Sequence, residues 1–134
     1  MKRKASVLIL SCIFASPVFA AWYPIATTDV SKVTVDTNSL RREGDLVKVW
    51  AMSDLFTSIN GEKGKIRSFK TQYLINCKEE KNATLYTAFF SGPQGGGVGA
   101  GSVDRTSDEP KFIPNVPESV VEKISEFVCK VTEE

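Results

Sequence analysis

Two cysteines, Cys77 and Cys129, lie 52 positions apart, and they constrain the fold of this chain more than any other feature. The third, Cys12, sits in a leader. Met1-Lys2-Arg3-Lys4 is a cationic patch, and an uncharged apolar run follows from Ala5 to Ala15. After the turn formers Ser16-Pro17, the segment Val18-Phe19-Ala20 offers small or aliphatic side chains at the positions a signal peptidase inspects. A cut between Ala20 and Ala21 is expected, with residues 1–20 a secretion signal and residues 21–134 a single exported domain. Cys77 and Cys129 are then the only thiols to reach an oxidising compartment, and they pair by elimination. Such a loop restricts the unfolded chain by roughly 4 kcal/mol, a large share of a small domain's stability.

Neither alternative reading of the leader fits as well. A membrane anchor needs an apolar span nearer ~20 residues. Lipidation of Cys12, the minor alternative, would tether the protein to a membrane. Ile9-Leu10-Ser11-Cys12 does place a small residue before a cysteine, but Leu10 is bulky and the preceding apolar stretch is short.

The leader carries three of the 17 basic side chains and none of the 16 acidic ones, so the expected mature charge is 14 − 16 = −2. That balance, with no basic stripe, argues against a nucleic-acid binder. The chain contains no histidine, which removes Ser-His-Asp and Cys-His catalysis, histidine metal ligation and the commonest general base. Two isolated thiols also lack the paired spacing of a zinc site. No cofactor and no metal are expected, and the chain reads as a non-enzyme.

Alternation of apolar and polar residues marks short strands. Residues 22–26 form an apolar-aromatic segment that Pro24 assigns to a sheet edge. Strands are expected at residues 32–36 and 46–52, the second leaving a charged tip at residues 41–45, and again at residues 67–76 and 83–91, which pair as a hairpin about the charged turn at 78–81. Residues 58–65 read as a solvated loop. The stretch 92–102 holds six of the nine glycines and reads as a flexible loop, because no Gly-Lys-Ser/Thr follows to make it a phosphate cradle. Residues 109–114 are a candidate last strand. Val120, Val121, Ile124, Phe127, Val128 and Val131 then recur at helical spacing, with Asn115 as the expected cap and Glu118 completing a capping box.

Candidate chemistry is sparse. The acidic pairs Glu79/Glu80 and Asp108/Glu109 fall in expected turns, where adjacent charges are ordinarily solvated, and Asp54 at a strand end is a turn former. Asn82-Ala83-Thr84 matches a glycosylation sequon and receives no role. Nine aromatics, Trp22, Tyr23, Trp50, Phe56, Phe69, Tyr73, Tyr86, Phe89 and Phe90, are mostly core material. Phe89 and Phe90, however, are neighbours on one strand and point to opposite faces, so one of them must find cover outside the main core. They are the candidate binding aromatics.

Several short pieces occur in a characteristic order: Trp22-Tyr23 after the leader, Val35-Asp36 with Ser39-Leu40, and Gly44 before Val47-Lys48-Val49-Trp50. Arg67-Ser68-Phe69-Lys70 then leads to Asn76-Cys77, and Phe127-Val128-Cys129 closes the series. This pattern resembles the surface-adhesin protein E-like family of small exported bacterial proteins over nearly all of residues 22–130. The resemblance implies an α+β fold: a single antiparallel sheet of about six strands with a C-terminal helix packed on it, cross-linked by one disulfide. It also implies a protein partner, since the family's namesake is a surface lipoprotein that binds host extracellular matrix proteins and self-associates as a homodimer. The weak lipidation motif here favours the periplasm, with the cell surface or the medium as alternatives. The expected function is an exported binding domain that presents a sheet face or edge to a protein. A soluble periplasmic accessory or structural protein without a host ligand is the alternative, and a small carboxylate hydrolase is a third.

Overall fold

The computed structural model describes residues 21–133. The expected leader, with Cys12 and Ala20, lies outside the described residues. Eight strands and one helix follow in order: β1 (Trp22–Thr27), β2 (Ser31–Asp36), β3 (Arg41–Glu43), β4 (Leu46–Gly61), β5 (Gly64–Asn76), β6 (Lys81–Phe90), β7 (Gly99–Asp104), β8 (Ile113–Pro114) and α1 (Val120–Val131). All pairings are antiparallel, and the main path runs β1-β2-β4-β5-β6-β7. The expected count of about six strands is therefore too low. Both extra strands are short: β3 pairs with the start of β4, and β8 with the start of β6. Strands of three and two residues are too brief for alternation to reveal.

The central hairpin is longer than its apolar pattern suggests. β4 runs on to Gly61 and β5 starts at Gly64, so the expected solvated loop at 58–65 is mostly paired strand around Glu62-Lys63. Its alternation is masked because the register shifts between Asp54 and Ile59, which scrambles the period of two on which the reading depends.

One sheet face carries the main core. Val33, Val35, Val47, Val49, Ala51 and Ile75 pack there against Ile124 and Val128 of α1. Tyr23 of β1 stacks on Phe127 of the helix, with ring centroids 4.4 Å apart. Cys77, just past β5, is bonded to Cys129 in the last helical turn, with a Cα–Cα distance of 5.7 Å. The helix end is therefore held to the sheet covalently as well as by packing.

The cap differs from the sequence expectation. Ser119, not Asn115, is the N-cap, and its Oγ accepts the Glu122 N–H at 3.1 Å. Pro117 biases Val116 away from helical geometry, and Glu118 has φ +64, so the helix starts only after them. Asn115 is used elsewhere. Its Oδ1 accepts from Asn82 Nδ2 at 2.8 Å and its Nδ2 donates to Ser125 Oγ at 3.1 Å, tying β6 to the helix through a polar chain. Asn82 is buried and its Nδ2, the atom a glycan would need, donates to Asn115.

Burial holds the Tyr73 hydroxyl above its ordinary value of 10.0, a hydrogen bond with Thr71 opposing it in part. Its folded pKa therefore exceeds its unfolded one, so this contribution is intact below pH 10 and is lost as pH rises through the folded pKa. Unfolding free energy is expected to fall above about pH 10, and Tyr73→Phe should flatten that fall. An unchanged slope in denaturant titrations of the variant would contradict this account.

Candidate binding face

The strand register sends alternate side chains to the sheet face away from α1. Trp50, Gln72 and Tyr86 lie directly across three strands from one another, and Thr34, Met52, Lys70 and Ala88 form the next row. Trp22 of β1 and Phe90 of β6 share this face, since Lys70 Nζ lies 5.7 Å from one ring centroid and 5.6 Å from the other. Trp50 and Tyr86 meet edge to face at 5.8 Å. All four rings are half-buried. Among the described residues, no second sheet or helix covers them.

The glycine-rich stretch roofs one end of this face, which corrects its reading as a flexible loop, and at the other end Phe112 packs against Leu74, Ala83 and Leu85 beside Leu46. Pro93–Gly95 form a 3-10 turn over β4 and β5, and β7 begins at Gly99. Ser68 Oγ donates to the Gly92 carbonyl at 2.6 Å and accepts the Gly95 N–H at 2.9 Å, while Asp54 Oδ1 accepts the Gln94 N–H. Gly95 and Gly97 both have positive φ, near +70°. A Cβ on Gly97 would fall 2.4 Å from Ser91 Oγ, and one on Gly95 2.9 Å from Lys70 Cε. Glycine serves close approach here, not mobility.

Ser68 is fully buried, and sequence reasoning gave it no role. Its position on an expected strand is visible in the sequence, but its partners lie 24 and 27 residues further on. Ser68→Ala leaves a backbone carbonyl and a backbone N–H of the turn without this partner, which costs about 1–3 kcal/mol. Faster amide exchange at Gly95, with helix amides unchanged, is the expected signature. Equal loss of protection in both places would show that the turn is not a local unit.

The two candidate aromatics part company. Phe90 lies beneath Lys70 on the open face. Phe89 points to the helix side, 6.0 Å from Phe69, beyond the reach of α1. There it lines a cleft of about 410 Å³ with Thr87, Val103, Arg105 and Ile113. Neither belongs to the main core cluster. Asp108 and Glu109 sit exposed on the rim of that cleft, and Glu79 pairs with Lys81 at 3.8 Å. Among the described residues, no group of three or more His, Cys, Asp or Glu side chains is placed to hold a metal.

The family model of surface-adhesin protein E matches residues 22–130, which is the whole sheet and all but the last residue of the helix. The chain belongs to the surface-adhesin protein E family. Its fold is also that of solved relatives. Crystal form II of Haemophilus influenzae protein E is similar with a TM-score of 0.63 at 13% identity, over 85% of this chain and 91% of that one. Protein E from non-typeable Haemophilus influenzae gives a TM-score of 0.60 at 14% identity, over 84% and 78%. Identity this low carries the fold and not a binding site. No curated protein matches the chain.

Both edges of this protein E-like sheet are blunted. β1 carries Pro24 and a register shift between Pro24 and Ala26. In β7 the register shifts where Ala100 and Gly101 face β6, and Gly101 has φ +104. Proline, bulges and irregular glycines are the devices that keep an edge from accepting another strand.

Proposed function

We propose that this chain is an exported, non-enzymatic binding domain of the adhesin type, which meets a protein partner through the open sheet face. One observation carries the reading: Trp22, Trp50, Tyr86 and Phe90 lie half-buried on a face that, among the described residues, no second sheet or helix covers, while both sheet edges are blunted. Rings in such a position supply large contact area at low entropic cost, as interface anchors do. Export is supported by the leader and by a disulfide that needs an oxidising compartment. The partner class is a protein, with host matrix proteins as the family's example, and the expected compartment is the periplasm unless Cys12 is lipidated.

The test joins location to binding. The full chain is expressed in a bacterial host, intact cells are treated with protease, and the released protein is applied to wells coated with matrix proteins. Saturable binding that Trp50→Ala weakens supports the reading. Protein confined to the osmotic-release fraction with no saturable binding overturns it in favour of a periplasmic accessory role.

A further inference from the structure

Away from the open face, the donors in one chain of polar side chains all point the same way, and the chain ends on a sulfur. Asn82 Nδ2 donates to Asn115 Oδ1 at 2.8 Å, Asn115 Nδ2 donates to Ser125 Oγ at 3.1 Å, and Ser125 Oγ lies 3.9 Å from Cys129 Sγ. A bonded disulfide sulfur carries no hydrogen, so in that last contact the hydroxyl is the donor. Among the described residues, no hydrogen bond reaches the sulfur of Cys77. The two halves of the disulfide are therefore unlike.

Solvent reaches this bond from two clefts. Both cysteines line one of about 370 Å³ with Arg42, Lys78 and Lys130, three cations against the carboxylates of Asp45 and Glu133. They also line one of about 310 Å³ with Glu80, Glu122 and Glu126 and no cation. An anionic thiolate is admitted by the first and repelled by the second, and a cleft of that volume takes a small molecule. Cys129 stands in the last helical turn, where free carbonyls disfavour negative charge. Arg42 Nη1 offsets them, since it donates to the Cys129 carbonyl and to Thr132 Oγ1. The bond can also open without undocking the helix, because Ile124 and Val128 are buried in the core and Phe127 stacks on Tyr23.

We propose that Cys77–Cys129 is a thiol-exchange site of fixed polarity, at which a small anionic thiol modifies Cys77 and Cys129 is the sulfur that leaves. The external thiolate bonds to Cys77 Sγ, the Cys77–Cys129 bond breaks, and its electron pair departs on Cys129 as a thiolate. The product is a mixed disulfide on Cys77. The Ser125 hydroxyl holds the departing sulfur, and a hydrogen bond to a charged acceptor is about twice as strong as one to a neutral acceptor. Ser125 thereby favours this direction over attack on Cys129. The site lies outside the binding face and does not depend on it.

The probe is glutathione, incubated with the exported, disulfide-bonded protein, quenched with N-ethylmaleimide and followed by peptide mass spectrometry. Glutathione on Cys77 with maleimide on Cys129 is expected to exceed the inverse product by about tenfold or more, the effect of one charged hydrogen bond. Ser125→Ala should slow the exchange and erase the preference, while Ser125→Thr, which keeps a hydroxyl, should retain both. Lys78→Glu should slow glutathione and leave the cationic thiol cysteamine unslowed. Unaltered thermal melting of the disulfide-bonded variants confirms that they fold. Glutathione shared evenly or placed chiefly on Cys129 in the parent protein would overturn the assignment without recourse to any variant. So would a preference that survives Ser125→Ala, equal slowing of both thiols by Lys78→Glu, or exchange that proceeds only once the Ile124 amide loses protection.

Discussion

Cys129→Ser is expected to lower the unfolding free energy by about 4 kcal/mol, the value for releasing a loop of this length in the unfolded chain. For a domain of this size that is a large fraction of the total. The loss should appear first at the C-terminal end of α1. Without the bond, that end is held by Ile124 and Val128 in the core, by the Tyr23–Phe127 stack, and by Arg42 Nη1, which donates to the Cys129 carbonyl at 3.3 Å and to Thr132 Oγ1 at 3.2 Å. These contacts keep the helix docked but let its last turn fray. Denaturant unfolding and amide exchange should show a lower midpoint and faster exchange over residues 126–131. An unchanged midpoint in the variant, or full reactivity of both thiols in the native, unreduced protein, would refute the account.

Ile75→Ala is expected to cost about 2–5 kcal/mol, the range for truncating a fully buried aliphatic side chain where the surroundings collapse only in part. Ile75 is 0% exposed on β5 and touches the same cluster as Ile124 and Val128. Its environment is rigid on both sides, because Val47 pairs directly across from it on β4 and Cys77 is tethered two residues on. Ile75 and Cys77 share the helix-facing side, so Ile75→Ala and Cys129→Ser should not add. A coupling energy of roughly 0.5–3 kcal/mol is expected in the double-mutant cycle. Strict additivity would mean that the helix end and the sheet core respond independently.

Much of this architecture is legible in the residues. The Val33/Val35 and Val47/Val49/Ala51 alternations mark the helix-facing side of β2 and β4, and the three- and four-residue spacing of Val120 to Val131 marks the helix. What is not legible has identifiable causes. β3 and β8 are too short for a pattern to register. The distal hairpin hides behind an irregular register between Asp54 and Ile59. Asn115 offers a good capping side chain, but Pro117 and the positive φ of Glu118 delay the helix to Ser119. The glycine run looks flexible by composition, and is docked because Ser68 and Asp54, distant in sequence, meet its backbone.

Sequence alone determines the staple, the periodic core and the exclusion of histidine chemistry, because each depends on residue type or on near-neighbour spacing. It also reaches the pair Phe89 and Phe90, since adjacent strand residues must diverge. Tertiary structure alone decides which sheet face stays open and how its charges are met. Lys70 acquires one ring from Phe90 on β6, its hairpin neighbour, and the other from Trp22 on β1, a strand that no local pattern brings near β5. It has no carboxylate partner because its cross-strand neighbours are Met52 on β4 and Ala88 on β6. Side-chain period is a local property, whereas the company a cation keeps is set by strand order and register across the whole sheet.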